Sequence, residues 1–363
     1  MKGRGRAAQP AAGQLALPLG LAPAPAPRGP TEFRVGGRTV HVSACFDTFW
    51  QFAAARQRIF HCRAAGTPPP WTADPVLARY KFTNVYRAAD RTSQHLISAV
   101  IYAGSQDPDE VVFRVLLFKL FNRIETWELL AGQLGETPSW AGYSFAAYSR
   151  ILEGAIRRGE PVYSAAYIMP TPPFGARRKH DNHLRLIEYA MAGGLPARIA
   201  AGGHLRSVYE QLLALPSIGP FLACQYAVDL AYSPVTRADE SQFIVAGPGA
   251  LDGIAKCFTD TGGLTAADII AWMQDTSHDH FARLGLDFAD LWGRWPTLID
   301  WQNVFCEVGK YTRVSHPHIP GTAGRTRIKQ QFRQAPGAIS YRFPPKWGLP
   351  AERTAGPAEA GNP

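Results

Sequence analysis

The stretch "LPSIGPFLACQYAVDLAYS" (residues 215–233) limits the fold more than any other part of this 363-residue chain. Just before it, "HLRSVYEQLLAL" spaces Val208, Leu212 and Leu215 as one face of an amphipathic helix. Pro216 and Ser217 break that helix, because proline lacks a backbone donor and serine favours turns. Gly219 supplies conformational freedom, and Pro220 suits the first position of a second helix, where its missing N–H would be unsatisfied anyway. The second helix then points its first amides and its dipole at whatever lies before the turn, an arrangement suited to a phosphate. Ser217 and Gly219 are the expected phosphate contacts.

The rest of the chain reads as mostly helical. "ACFDTFWQFAAARQRIFHCR" (44–63) repeats Phe46, Phe49, Trp50 and Phe60 at near-helical spacing. Residues 83–102 place Val85, Ala89, Leu96 and Val100 on one face and Asn84, Arg87, Arg91 and His95 on the other, predicting a helix there. Further helices are predicted near 109–123, 126–133, 144–158, 182–193, 203–214, 220–232, 265–274 and 299–312. The main strand signal is "EFRVGGRTVHV" (32–42), a β-hairpin with Gly36-Gly37 at its turn. "MPTPPFGARRKHDNH" (169–183) is a long loop, and its Arg177, Arg178 and Lys179 are candidate phosphate contacts. "GPGALDG" (247–253) reads as a helix-starting turn. The expected organisation is a basic Ala/Pro-rich tail (1–30), one helical domain (31–335) and a C-terminal tail (336–363).

Charge narrows the function classes. The net charge is +9. Residues 1–30 carry Lys2, Arg4, Arg6 and Arg28 without an acid. Residues 321–347 carry Arg325, Arg327, Lys329, Arg333, Arg342 and Lys346 without an acid, leaving the body from 31 to 320 neutral. A neutral body with two basic ends suits a polyanion such as DNA. No stretch approaches the length of a membrane span, and Pro18 breaks "LALPLGLA" as a secretion signal. A cytoplasmic, nucleoid-associated location is expected. The five cysteines lack C-x-x-C spacing, which argues against a disulfide framework, a zinc ribbon or an iron–sulfur loop. His278-Asp-His280 and His316-Pro-His318 lack an evident third ligand and read as loop histidines, so no metal and no cofactor is expected. There is no G-x-x-x-x-G-K-[ST], so no P-loop kinase is written in this sequence.

"LPSIG" followed by the small-residue helix of Ala223 and Ala227 resembles the helix-hairpin-helix of DNA glycosylases, whose turn reads L-P-G-[VI]-G. That superfamily carries a catalytic Asp at a fixed remove from the second hairpin glycine; here Asp239 stands twenty residues after Gly219. Ser217 replaces the first glycine, and Phe221 stands where lyase-type members carry a lysine, so a Schiff-base lyase is not implied. Five longer segments resemble the DNA thymine-hypermodification helical family. They are "YKFTNVYRAADRTSQHLI" (80–97), "LPSIGPFLACQYAVDLAYS" (215–233), "DESQFIVAGPGALDGIAKCF" (239–258), "LIDWQNVFCEVGKYTRV" (298–314) and "RTRIKQQF" (325–332). That family includes the helical domain of 5-hydroxymethyluracil DNA kinases and the alpha-glutamyl/putrescinyl thymine pyrophosphorylases.

The resemblance implies a mostly α, glycosylase-like helical domain with a small N-terminal β element. It further implies DNA carrying modified pyrimidines as partner, with a separate nucleotide kinase if kinase chemistry is used. A base inside a duplex must be flipped out before a protein can act on it. Asp239 and Glu240 are the expected acids, stabilising a cationic sugar or activating a nucleophile. Asn84, Tyr86, Arg87, Asp90, Arg91 and Gln94 are expected to form a base-binding helix face, with Tyr86 stacking on the base. Asn303 and Glu307 join them from "DWQNVFCE", where Asp300 shares their face. Lys310, Arg325, Arg327 and Lys329 extend the phosphate contacts. Base hypermodification, base excision and a non-catalytic base reader that recruits a separate enzyme all fit. "QLALPL" (Gln14–Leu19) resembles the short peptide by which bacterial DNA enzymes dock on the sliding clamp.

Overall fold

The computed structural model describes residues 30–165, 168–334 and 341–350. Gly36 and Gly37 adopt φ of 53° and 79°, the left-handed backbone that a tight antiparallel turn needs. Strands Glu32–Val35 and Arg38–Val42 pair across it, Phe33 opposite Val40. A third strand, Phe258–Asp260, joins the outer side of Arg38–Val42, with Val42 opposite Phe258. It arrives from far along the chain, so nothing local announces it.

Fourteen α-helices make up about half of the described residues. The aromatic stripe of 44–63 becomes the helix Cys45–Ala64, whose Phe46, Phe49, Trp50 and Phe60 are all buried. Trp50 packs against Trp301 at 5.5 Å and stacks on His280 at 4.8 Å. Each such ring removed from water stabilises the fold by about 1.5–3 kcal/mol. His278 and His280 therefore lie in a short helix (Ser277–Arg283) and not in a loop; His280 is a core residue.

The helices Pro248–Cys257 and Leu298–Ser315 approach each other closely. Gly253 and Gly309 face each other at the crossing, and a Cβ on Gly253 would strike the Phe305 carbonyl. The turn at 247–253 does start this helix, with Gly247 as its N-cap and Pro248 in its first turn. Sequence periodicity missed three further short helices: Pro75–Arg79, Leu195–Ala201 and Ser277–Arg283. Each is one or two turns long, too short for a repeat to register.

The largest departure lies at residues 83–102. Residues 83–90 are not helical apart from one 3-10 turn at Arg87–Ala89. Side chains capture the backbone first: the Asn84 N–H donates to Asp90 Oδ1 at 2.7 Å, and the Arg87 N–H to Asp300 Oδ1 at 2.8 Å. Such bonds compete with the helical ladder. The α-helix runs only from Arg91 to His95 and continues as a π-helical segment, Leu96–Ile101. The buried Arg114 guanidinium takes up carbonyls at the end of this wide turn, donating to Val100 at 2.7 Å and Ile101 at 3.1 Å. Downstream, the helix Lys179–Ala192 starts earlier than predicted, so the long loop ends at Arg178.

Candidate functional site

The helices Leu205–Leu213 and Pro220–Ala231 flank the 214–219 turn as expected. The backbone freedom is used one step earlier than the glycine suggests. Ser217 takes the left-handed conformation (φ 64°), whereas Gly219 is extended (φ −81°), a conformation open to any residue. Ser217 thus stands where the resembled turn has glycine and adopts glycine's conformation there. Leu215 and Ile218 anchor the turn among Leu116, Leu120, Leu186 and Ile187. The Ser217 hydroxyl reaches the Thr171 carbonyl at 3.4 Å, so the 168–178 loop lies against the turn. Arg177, Arg178 and Lys179 follow on the exposed side of that loop. Arg178 pairs with Glu153 at 3.0 Å, and the Lys179 ammonium lies 4.5 Å over the Tyr163 ring.

Behind the turn, the second helix carries a buried charge cluster. Asp229 is 0% exposed and bridges two cations, Arg87 Nη1 at 2.6 Å and Lys119 Nζ at 3.0 Å. Arg87 also donates to Gln225 Oε1 at 3.2 Å and to the Tyr232 hydroxyl at 3.3 Å. Burial works to raise the Asp229 carboxyl, but Arg87 and Lys119 override it and hold the group below the ordinary carboxylate value. Arg87 is therefore spent on the interior of the fold.

The helix Leu298–Ser315 holds the 83–90 loop by its backbone. Asp300 receives the Arg87 N–H, Asn303 donates to the Asn84 carbonyl at 2.7 Å, and Glu307 receives the Thr83 N–H at 3.1 Å. Lys310 closes on Glu307 at 2.6 Å. The Asn84 amide is divided between the Ala89 carbonyl and the Arg56 guanidinium, both at 2.7 Å. Tyr86 is buried, its hydroxyl donating to the Arg294 carbonyl at 2.6 Å and accepting the Leu291 N–H at 3.0 Å. In this conformation Tyr86 offers no ring face for a base to stack on. Asp90 accepts the Asn84 N–H, and burial pushes its carboxyl up to about 7. Asn84, Tyr86, Arg87 and Asp90 thus form no common helix face with Arg91 and Gln94, because the segment carrying them is not a helix.

Asp239 and Glu240 meet on Arg294. Arg294 Nη2 lies 2.7 Å from Glu240 Oε1 and 3.5 Å from Asp239 Oδ2. The two acids differ sharply in environment. The Asp239 side chain is 35% exposed, and its Oδ1 accepts the Ser241 N–H at 2.9 Å. Partial burial works to raise its pKa, but the Ser241 bonds and Arg294 hold it below the ordinary value. Glu240 is 1% exposed, its Oε2 has no hydrogen-bond partner, and burial pushes the carboxyl up to about 7 despite Arg294. Adjacent carboxyl groups with pKa values driven apart can divide the roles of fixed negative charge and proton carrier. Sequence reasoning missed Arg294; its signal was the Gly-aromatic turn "LWGRWP", where Trp292 (φ 51°) and Gly293 (φ 101°) bend the chain back.

Residues 341–350, expected as part of a tail, pack against this centre. Lys346 Nζ donates to the carbonyls of Thr236 (3.2 Å) and Ala238 (3.3 Å), and Arg294 lies 4.0 Å over the Trp347 ring. Beside them, Arg91, Gln94, His95, Ser98, Ile124, Glu128 and Arg342 line an open groove of about 450 Å3. Arg325, Arg327 and Lys329 are exposed on an extended segment that crosses Leu298–Ser315 and bonds to the chain at Arg79 and Lys81. The Gln14–Leu19 peptide lies outside the described residues. Among the described residues, the five cysteines are free, no cluster of His, Cys, Asp or Glu is arranged to hold a metal ion, and no helix is long and apolar enough to cross a membrane.

This is a mostly helical domain in which two adjacent acids converge on one arginine. Residues 43–321 match the model of the 5-hmdU DNA kinase helical domain, so the chain belongs to that family. A 5-hmdU DNA kinase of Bacillus phage SP10 is 27% identical over 264 residues, a match covering 67% of this chain and 41% of the relative. The chain thus spans well under half the length of that kinase. No solved structure matches.

Proposed function

We propose that this protein binds DNA, extracts a 5-substituted uracil such as 5-hydroxymethyluracil from the duplex, and acts on it chemically at the Asp239–Glu240 centre. Membership of the family and the likeness to a protein named as a 5-hmdU DNA kinase support the substrate class. The single observation that carries the chemistry is the Glu240 carboxyl. It is buried, has one oxygen without a hydrogen-bond partner, and titrates near neutrality beside an acid that stays ionised. Asp239 supplies a fixed negative charge for a developing cation, and Glu240 gives or takes the proton. Both hydrolysis of the N-glycosidic bond and displacement at the 5-methylene carbon need that pair of roles. The serine-turned helix pair, the 177–179 cations and the 325–329 cations provide a route for the phosphate backbone.

The test is incubation with duplex DNA carrying 5-hydroxymethyluracil, with and without ATP, followed by mass analysis of the nucleosides. Release of the free base identifies excision. A mass shift retained on the nucleoside identifies group transfer. Unchanged nucleosides with selective binding would replace the enzyme by a base reader that serves a separate kinase. The absence of a P-loop motif from this sequence is the observation favouring that second reading.

A further inference from the structure

Gln94 is the one expected base contact whose amide faces a neighbour with the hydrogen-bonding edge of a pyrimidine. Its Oε1 accepts the Arg342 N–H at 2.7 Å, and its Nε2 donates to the Arg342 carbonyl at 3.1 Å. The second Nε2 proton goes to the Ala88 carbonyl at 2.6 Å. Two carbonyl acceptors around Nε2 and one N–H donor at Oε1 fix which way the amide points. It therefore presents an acceptor and a donor side by side. A peptide N–H and its own C=O satisfy that pair, and so do N3–H and O4 of a uracil. The same residue fills a stacking position as well: the planar Arg342 guanidinium lies 5.4 Å over the ring of Tyr102, which is anchored by its hydroxyl to the Tyr232 carbonyl. Gln94 precedes the π-helical segment, a distortion frequent at functional sites.

We infer that Gln94 and Tyr102 form the base-reading site for the uracil ring, and that residues 341–349 occupy it as an internal stand-in that modified DNA must displace. The inference rests on the proposed function above. The strap spans both halves of the site. Four and five residues beyond Arg342, Lys346 and Trp347 engage the carbonyls before Asp239 and the Arg294 guanidinium. The chain between residues 342 and 346 reaches at most about 14 Å, so one short strap touches both the reading amide and the groups around the acid pair. The Gln94–Arg342 bonds are on the exposed rim, where water can replace them during release. Tyr341 and Phe343 anchor the strap against Phe60 and Trp292, at 4.9 Å and 5.9 Å. DNA binding therefore carries the cost of undocking them, which a ring with an N3–H and O4 edge offsets whatever its 5-substituent.

Hydrogen exchange on the full chain tests this, with binding followed by fluorescence anisotropy in the same samples. On saturation with 5-hydroxymethyluracil DNA, exchange of the Arg342 amide should rise at least tenfold, and that of the Phe343 and Lys346 to Leu349 amides with it. Binding accompanied by unchanged or slower exchange there would overturn the strap while leaving the functional reading intact. Absence of any binding would remove the functional reading, and the strap with it. A Trp347→Ala chain gives the independent readout: a looser strap should tighten binding of the same DNA severalfold, and equal or weaker binding by a cooperatively folded variant counts against it.

Discussion

The two charge clusters of this protein share residue types and differ in charge balance. Around Asp229, one buried carboxylate receives two cations, and a glutamine and a tyrosine complete the arginine's bonds. Around Arg294, one cation receives two acids, one of which keeps an unbonded oxygen out of water. Two cations hold the first acid ionised, whereas two acids sharing one cation leave the buried one pushed up towards neutrality. The first cluster ties the 83–90 loop and the helices Pro108–Phe121 and Pro220–Ala231 together. The second sits where the chain after the helix pair meets the 291–296 turn and the 341–350 strap.

The contrast breaks most visibly at Asp229. Asp229→Asn leaves Arg87 and Lys119 as buried cations without their counter-charge, and should destabilise the fold by about 3–5 kcal/mol. Urea denaturation measures it, and an unchanged midpoint would show that the cluster is not scaffolding. Asp239→Asn belongs to the other side of the contrast. Its half-exposed carboxyl should cost turnover on 5-hydroxymethyluracil DNA by about two to four orders of magnitude while melting temperature and DNA affinity hold. Loss of affinity in step with turnover would make Asp239 a binding group.

The clusters also carry opposite pH signatures. Glu240 and Asp90 are pushed up to about 7 in the folded chain, from ordinary values of 4.5 and 3.8. Between those values the folded chain holds protons that the unfolded chain has lost, so stability falls as pH rises from about 4 towards 7. Asp229 is held low, so its contribution disappears only as pH drops through its depressed folded value. Melting curves from pH 4 to 8 should show the decline, and Glu240→Gln should reduce it while Asp90 keeps the remainder. A decline unaltered by that substitution would place the titration elsewhere. The smallest effect concerns the exposed cations. Replacing Arg325, Arg327 and Lys329 by alanine should leave stability unchanged and reduce the slope of log affinity against log salt by about two to three. An unchanged slope would take that segment off the DNA.

The legible parts of the molecule were those with local causes. Gly36-Gly37 dictates its own turn, and Pro216 to Pro220 ends one helix and begins the next. The aromatic repeat of 44–63 is a helix because its spacing is helical. The offset of Asp239 from Gly219 singles out an acid, but its pairing with Arg294 is not written there. What stayed hidden was set by distant partners. Asn84 and Arg87 read as a helical polar face, yet Asp90 and Asp300 claim their amides first. Nothing near Asp229 announces that Lys119 closes on it, and nothing near Glu240 announces Arg294. Residues 341–350 looked like tail because two buried aromatics, Tyr341 and Phe343, make no period.

The central claim is that Glu240 is the proton carrier of the reaction and not a structural acid. The most direct measurement is single-turnover product yield and affinity on one 5-hydroxymethyluracil duplex, compared between the natural chain and Glu240→Gln. The glutamine keeps the size and the Arg294 hydrogen bond but cannot exchange a proton at neutral pH. The expected result is unchanged affinity, a cooperative melt and a yield lowered by at least a hundredfold. Equal yield from both chains would contradict the claim and leave Glu240 as a buried partner of Arg294.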